Sequence, residues 1–227
     1  MCGRFAFYSP KEAITRLFDV ELPSTIEPHF NIAPSQSILV LRHDLDGSIQ
    51  PVMMRWGLVP FWAKDQRIGS RLINARSETV HQKPAFRAAF KHRRCVILAD
   101  GFFEWRRAED RKVPFYICMK NGEPFAMAGL WERWDAADSP LETCTIITMP
   151  ASRALAPLHH RMPVIVPPES LRRWIDPINE SITELHGMFE VREDDAFDYW
   201  EVSPDVNNPR NDSPQLIDRN PPIPAPE

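Results

Sequence analysis

Between residues 94 and 148 the chain passes through four apolar stretches, 94–99, 113–119, 124–130 and 142–148, each closed by polar or turn-forming residues. Each stretch is six or seven residues long. That length suits strands and falls short of a core-forming helix. The same reading extends to 37–41 and 51–54, which flank an Asp46-Gly47 turn signal, and to 163–166 and 197–202. Helical signals are fewer. Ser9-Pro10-Lys11-Glu12 reads as an N-cap serine, a proline at the first helical position and a capping-box glutamate. Ala13, Ile14, Leu17 and Phe18 then follow at helical spacing, to about residue 18. Further helices are expected at 84–92, with Phe86 and Phe90 on one face, at 168–175 and at 180–188. Many short strands with few helices predict an α+β fold, a single domain with a curved, barrel-like, mainly antiparallel sheet as its core and short peripheral helices.

No repeat and no internal linker divides the chain, so 2–217 reads as one domain, followed by a Pro-rich tail at 218–227 that is expected to be disordered. At 227 residues and 43% hydrophobic, the chain can bury a sizeable core. Nothing approaches the roughly 18 apolar residues of a membrane span. The first ten residues lack the apolar stretch of a secretory signal. The expected location is cytoplasmic and nucleoid-associated in a bacterium, or nuclear in a eukaryote. Cys95, Cys118 and Cys144 lie in strand-like runs and read as core, whereas Cys2 follows the initiator methionine. Their spacing suits neither a disulfide framework nor structural zinc.

The net charge of −4 hides an asymmetry. Residues 190–227 hold ten acidic and three basic side chains, while 55–112 holds fourteen Lys and Arg against six Asp and Glu. The basic block suits a phosphate-binding face and a solvated basic surface equally well. Set within this background are Met1-Cys2-Gly3-Arg4-Phe5, Phe30-Asn31-Ile32-Ala33-Pro34, Arg55 to Trp62 (RWGLVPFW), Leu72 to Thr79 (LINARSET), Asp100 to Trp105 (DGFFEW), Leu158 to Pro163 (LHHRMP) and Val206-Asn207. Taken singly, Glu104 reads as a surface glutamate on an edge strand, His159 as an ordinary core or surface histidine, and Cys2 as an incidental second residue.

Together and in this order, the segments resemble the SOS response-associated peptidase (SRAP) family of abasic-site-processing proteins, over nearly the whole chain. The resemblance implies Cys2 as the N-terminal nucleophile, Asn74 as the residue that positions it, Glu104 as an acid/base carboxylate and His159 as a catalytic histidine. It further implies DNA contacts at Arg4, Asn31, Arg76 and Arg161, and an aromatic contact to exposed bases at Trp62. Some relatives carry two adjacent tryptophans at that loop, whereas this chain has Trp62-Ala63. The implied partner is single-stranded DNA containing abasic sites; no cofactor, metal or membrane is expected, and the protein is expected to be a monomer. The implied activity is a covalent thiazolidine crosslink through Cys2 that protects the lesion, with AP-lyase and N-terminal self-processing.

That chemistry suits the residues. Removal of Met1 exposes an amine and a thiol on one residue, and an α-amine with a pKa of about 7.7–8.0 is partly neutral near pH 7. Glu104 among Phe102, Phe103 and Trp105 is expected to titrate high if buried. His159 and His160, as neighbours on an extended strand, are expected to face opposite ways. Two other readings stand beside this one: a cysteine peptidase using Cys2, Glu104 and His159 on peptide bonds, and a non-catalytic binder of modified nucleic acid.

Overall fold

The computed structural model describes residues 2–44, 47–109, 111–135, 139–189 and 196–220. Its strands are β1 (Phe5–Phe7), β2 (His29–Ile32), β3 (Ser37–His43), β4 (Ile49–Trp56), β5 (Asn74–Arg76), β6 (Arg94–Ala99), β7 (Gly101–Arg107), β8 (Lys112–Met119), β9 (Phe125–Trp134), β10 (Leu141–Pro150), β11 (Arg161–Pro163), β12 (Ile165–Val166) and β13 (Phe197–Glu201). The helices are short: α1 (Lys11–Phe18), α2 (Arg87–His92), α3 (Leu171–Ile175) and α4 (Ile182–Gly187). The expected α+β class holds, with one compact domain built on barrel-like sheet.

The barrel closes through β10. One edge of this strand pairs antiparallel with β9, from Leu141↔Trp134 to Ile146↔Gly129. The other edge pairs in parallel with β4 at Thr143↔Arg55 and then with β5 at Ile146↔Asn74. Since β4 pairs with β3, β3 with β6 and β6 with β9, the path β10-β4-β3-β6-β9 returns to its start. The strands of this path are buried on both faces, which is what made the runs legible: Val40, Met54, Trp56, Val96, Ile97, Met127, Leu130, Cys144 and Ile146 are all nearly inaccessible to solvent. A second sheet, ordered β13-β8-β7-β1-β2, lies beside it. Among the described residues no helix is long and apolar enough to cross a membrane.

Several local expectations are corrected. Ser9 does not cap α1. Pro10 holds the cap position without a side-chain bond, and the Ser9 hydroxyl donates to Asp100, which also accepts from the main-chain N–H of Tyr8 (2.6 Å) and Ser9 (2.8 Å). A carboxylate collecting three donors outcompetes a local cap. The run at 163–166 is two strands, because Val164 breaks the ladder: its N–H donates to Ile147 O while its carbonyl accepts from Ala128. The 168–175 helix begins as a 3₁₀ turn at Pro168–Ser170. Cys95 and Cys144 are buried as expected, but Cys118 is only half-buried. Gly47 takes the left-handed conformation its turn requires (φ 88°), while Asp46 lies outside the described residues, as does 221–227 of the tail.

Candidate active site and nucleic-acid interface

The N-terminus reaches the site by strand pairing. β1 runs antiparallel to β7 with Phe5 opposite Phe102, and Phe103 N–H donates to Arg4 O at 2.9 Å. Continued by two residues, that register sets Gly3 against Glu104 and leaves Cys2 at the end of the ladder. Cys2 is fully buried, and its thiol lies 3.9 Å from Arg4 O. On the opposite side, β5 is held parallel to β10 and presents Asn74, whose amide donates to Cys2 O at 2.8 Å. Two chain segments 72 residues apart thus fix the main chain of Cys2.

Glu104 is 4% exposed, and burial raises its pKa above the usual carboxylate range. The thiol of Cys2 is also pushed up, first by burial and then by the Glu104 charge. His159 Nδ1 lies 3.9 Å from Glu104 Oε1. Burial lowers the pKa of this imidazole, which favours the neutral ring at physiological pH. Its Nδ1 accepts the N–H of Arg161 at 3.0 Å and lies 3.3 Å from Arg161 O. A main-chain N–H can only donate, so the shorter contact favours the proton on Nε2. The nearby carbonyl offers an acceptor once Nδ1 is protonated, so either charge state finds a partner without ring rotation.

The two histidines do not face opposite ways. Residues 159 and 160 precede β11 rather than lying in it, and their rings pack with centroids 4.2 Å apart and planes 31° apart. Among the described residues, no three His, Cys, Asp or Glu side chains are placed to hold a metal ion.

The five residues with implied DNA contacts divide into two sets. Trp62 (49% exposed) and Arg76 are open to solvent. Trp62 borders a crevice of about 660 Å³ that also includes Lys64, Arg67, Ile68, Ser70 and Arg71. The loop carrying it is pinned where Gly57 (φ 123°) meets Gly69: a Cβ on Gly57 would lie 2.7 Å from Gly69 O. The other three are engaged inside the protein. Arg4 Nη1 donates to Asn31 Oδ1 (2.7 Å) and Val206 O (2.8 Å). Asn31 is buried, and its amide reaches the carbonyls of Val206, Asn208 and Asn211. These two residues therefore tie the segment after β13 across the sheet. Arg161 is 7% exposed, forked onto both Glu78 oxygens and bonded to Thr148.

A family model described as SOS response associated peptidase (SRAP) matches residues 1–209. The chain belongs to the SRAP family. It is 41% identical over 224 residues to the abasic site processing protein YoqW of Bacillus subtilis, covering 96% of this chain and 99% of YoqW. YedK of Escherichia coli, also named an abasic site processing protein, is 33% identical, with 96% and 99% covered. HMCES of Rattus norvegicus, of the same description, is 30% identical over 96% of this chain and 75% of its own. A solved structure from Bacteroides thetaiotaomicron shares the fold, with a TM-score of 0.84 at 24% identity over 96% of this chain and all of that one.

Three features of this SRAP chain were not anticipated. Phe61 is 59% exposed beside Trp62, so the loop presents two aromatic rings. Trp105 donates to Asn207 Oδ1 at 2.7 Å, which gives the Val206-Asn207 motif a concrete task in securing the C-terminal segment. Glu78, the acid within LINARSET, is the partner of Arg161; the signal was its place two residues after Arg76.

Proposed function

We propose that the chain binds abasic sites in single-stranded DNA and captures them covalently through Cys2, with associated lyase chemistry and removal of its own Met1. The observation that carries this reading is the anchoring of Cys2 at the end of β1 by Asn74, beside the buried Glu104 and His159. Once Met1 is gone, the Cys2 amine condenses with the aldehyde of the ring-opened sugar, releasing water and giving an imine. The thiol then adds across the C=N bond, sulfur to carbon and proton to nitrogen, closing a five-membered thiazolidine. Holding amine and thiol together against the sugar supplies proximity, which is worth up to ~7–11 kcal/mol of barrier.

Each step moves a proton, and the two flanking groups suit that work from opposite directions. Burial raises the pKa of Glu104 and lowers that of His159, which favours the protonated carboxyl and the neutral imidazole. The imine also provides for strand cleavage, since it activates the adjacent sugar carbon for proton loss. Solvent-open Trp62 and Arg76 supply a base-stacking ring and a phosphate partner. The raised Cys2 thiol weighs against a general cysteine peptidase, which needs a standing thiolate.

Incubation with an abasic single-stranded oligonucleotide, followed by denaturing electrophoresis, tests the reading. Wild-type protein is expected to give a heat-stable adduct, and Cys2→Ala and Cys2→Ser none, with ordinary DNA binding retained. A stable adduct of normal yield from Cys2→Ala sinks the mechanism.

A further inference from the structure

We propose that Glu78 is a displaceable stand-in for a DNA phosphate: in the free protein its carboxylate occupies the Arg161 fork, and a backbone phosphate must move it aside to bind there. The inference rests on the DNA-binding reading above and assigns Glu78 a role in how selective that binding is.

The burial of the two partners is unequal. The Arg161 side chain is 7% exposed, whereas that of Glu78 is 47% exposed. The guanidinium therefore sits behind and the carboxylate in front, on the solvent side. The inner part of the fork is committed to Thr148, whose carbonyl and hydroxyl both receive it. Only the positions taken by Glu78 Oε1 and Oε2 remain for an incoming anion. A guanidinium fork accepts a phosphate through the same two parallel N–H···O bonds it makes to a carboxylate. Exposed Arg76, two residues before Glu78, lies on the same short segment and offers a second cation to the same strand of DNA.

Competition rather than protonation governs the exchange, because the Arg161 bonds hold Glu78 ionised down to about pH 2. Undamaged DNA must therefore bear the displacement each time it binds. An abasic site bears it once and is then retained by its covalent bond. The pair would lower reversible affinity for intact strands while leaving the yield of captured lesions high.

The test measures anisotropy of a labelled, undamaged single-stranded oligonucleotide across a salt series. The proteins are wild type, Glu78→Asp, Glu78→Gln, and Glu78→Gln combined with Arg161→Gln, each checked by thermal melting. Glu78→Gln is expected to bind about two- to fivefold tighter, on the order of one exposed ion pair, with Glu78→Asp between it and wild type. The slope of log affinity against log salt should stay near that of wild type, because the same phosphate enters the fork in both proteins, and should fall by about 0.7 when Arg161→Gln removes that contact. The gain should vanish when Arg161→Gln is added. Unchanged or weaker binding by folded Glu78→Gln overturns the proposal, as does a gain that survives Arg161→Gln. Loss of the fold in both single variants overturns it too, since a displaceable group cannot be what holds the segment. A wild-type protein that crosslinks abasic DNA without any gain in Glu78→Gln sinks this inference alone. One that neither crosslinks nor binds sinks the functional reading beneath it.

Discussion

Two arginines are buried among the described residues, and their surroundings have little in common. Arg94, at the start of β6, is 1% exposed and donates to five main-chain carbonyls: Phe90 and Lys91 of α2, Trp174 of α3, and Asp176 and Asn179 beyond it. These carbonyls include the unpaired ends of two helices, which a cation satisfies well. Burial lowers its pKa to about 10, so it stays charged at neutral pH. Arg161 has nearly the same burial, yet its anionic partner is a single side chain that stands half in water. Every acceptor around Arg94 is main chain that cannot leave without unfolding the loops that carry it. The partner of Arg161 can leave by rotating its side chain. Burial alone therefore does not separate structure from function. What separates them is whether the partners are free to move.

The comparison can be broken most decisively at Arg94. Arg94→Met leaves five carbonyls, buried or partly buried, without this donor, and a loss of roughly 3–5 kcal/mol is expected in denaturant unfolding. A loss below about 1 kcal/mol would mean that water replaces the guanidinium readily. Arg161→Gln should cost less, roughly 1–3 kcal/mol, because Glu78 returns to solvent when its partner goes. Its main effect should be on DNA affinity, measured at low salt. If both variants unfold equally, the contrast between the two sites fails.

The smallest effect is a pH dependence. The Arg161 fork holds Glu78 at a pKa of about 2, below its ordinary value of 4.5. A carboxylate depressed by folding contributes stability that is fully present above the ordinary value and is lost as pH falls through the folded one. Thermal melts of wild type should therefore lose a Glu78-dependent increment between about pH 4.5 and 2. Glu78→Gln should lack that increment, while Arg94→Met should keep it. An identical acid limb in wild type and Glu78→Gln would show that the fork does not persist in solution.

Much of the sheet was legible because strands buried on one or both faces leave runs of six or seven apolar residues. The strands β1, β2 and β5, of three or four residues, are too short to leave such a pattern. β7 lay inside a motif read for its chemistry, where the expected edge strand proves to be internal, between β8 and β1. The barrel closure depends on β10 offering opposite edges to β9 and to β4, and pairing between distant segments has no local signature. Ser9 failed as a cap for the same reason, since Asp100 stands 91 residues away. Cys2, Asn74, Glu104 and His159 were found through motifs, and the structure brings Asn74 to Cys2 and His159 to Glu104. Arg4, Asn31 and Arg161 were named for implied DNA contacts, and their internal partners went unseen, because nothing in their own segments reveals a partner 202, 175 or 83 residues off.

The contact between Gly57 and Gly69 bears on how this protein could be altered. A side chain at either glycine would press on the main chain of the other, so the base of the loop carrying Phe61 and Trp62 has one permitted shape. Its tip, by contrast, is open to solvent. Libraries that vary 61, 62, 64, 66 and 67 while sparing both glycines and the inward-packed Ala63 and Ile68 should change what the loop displays without changing where it is displayed, making these positions natural graft sites for new recognition sequences.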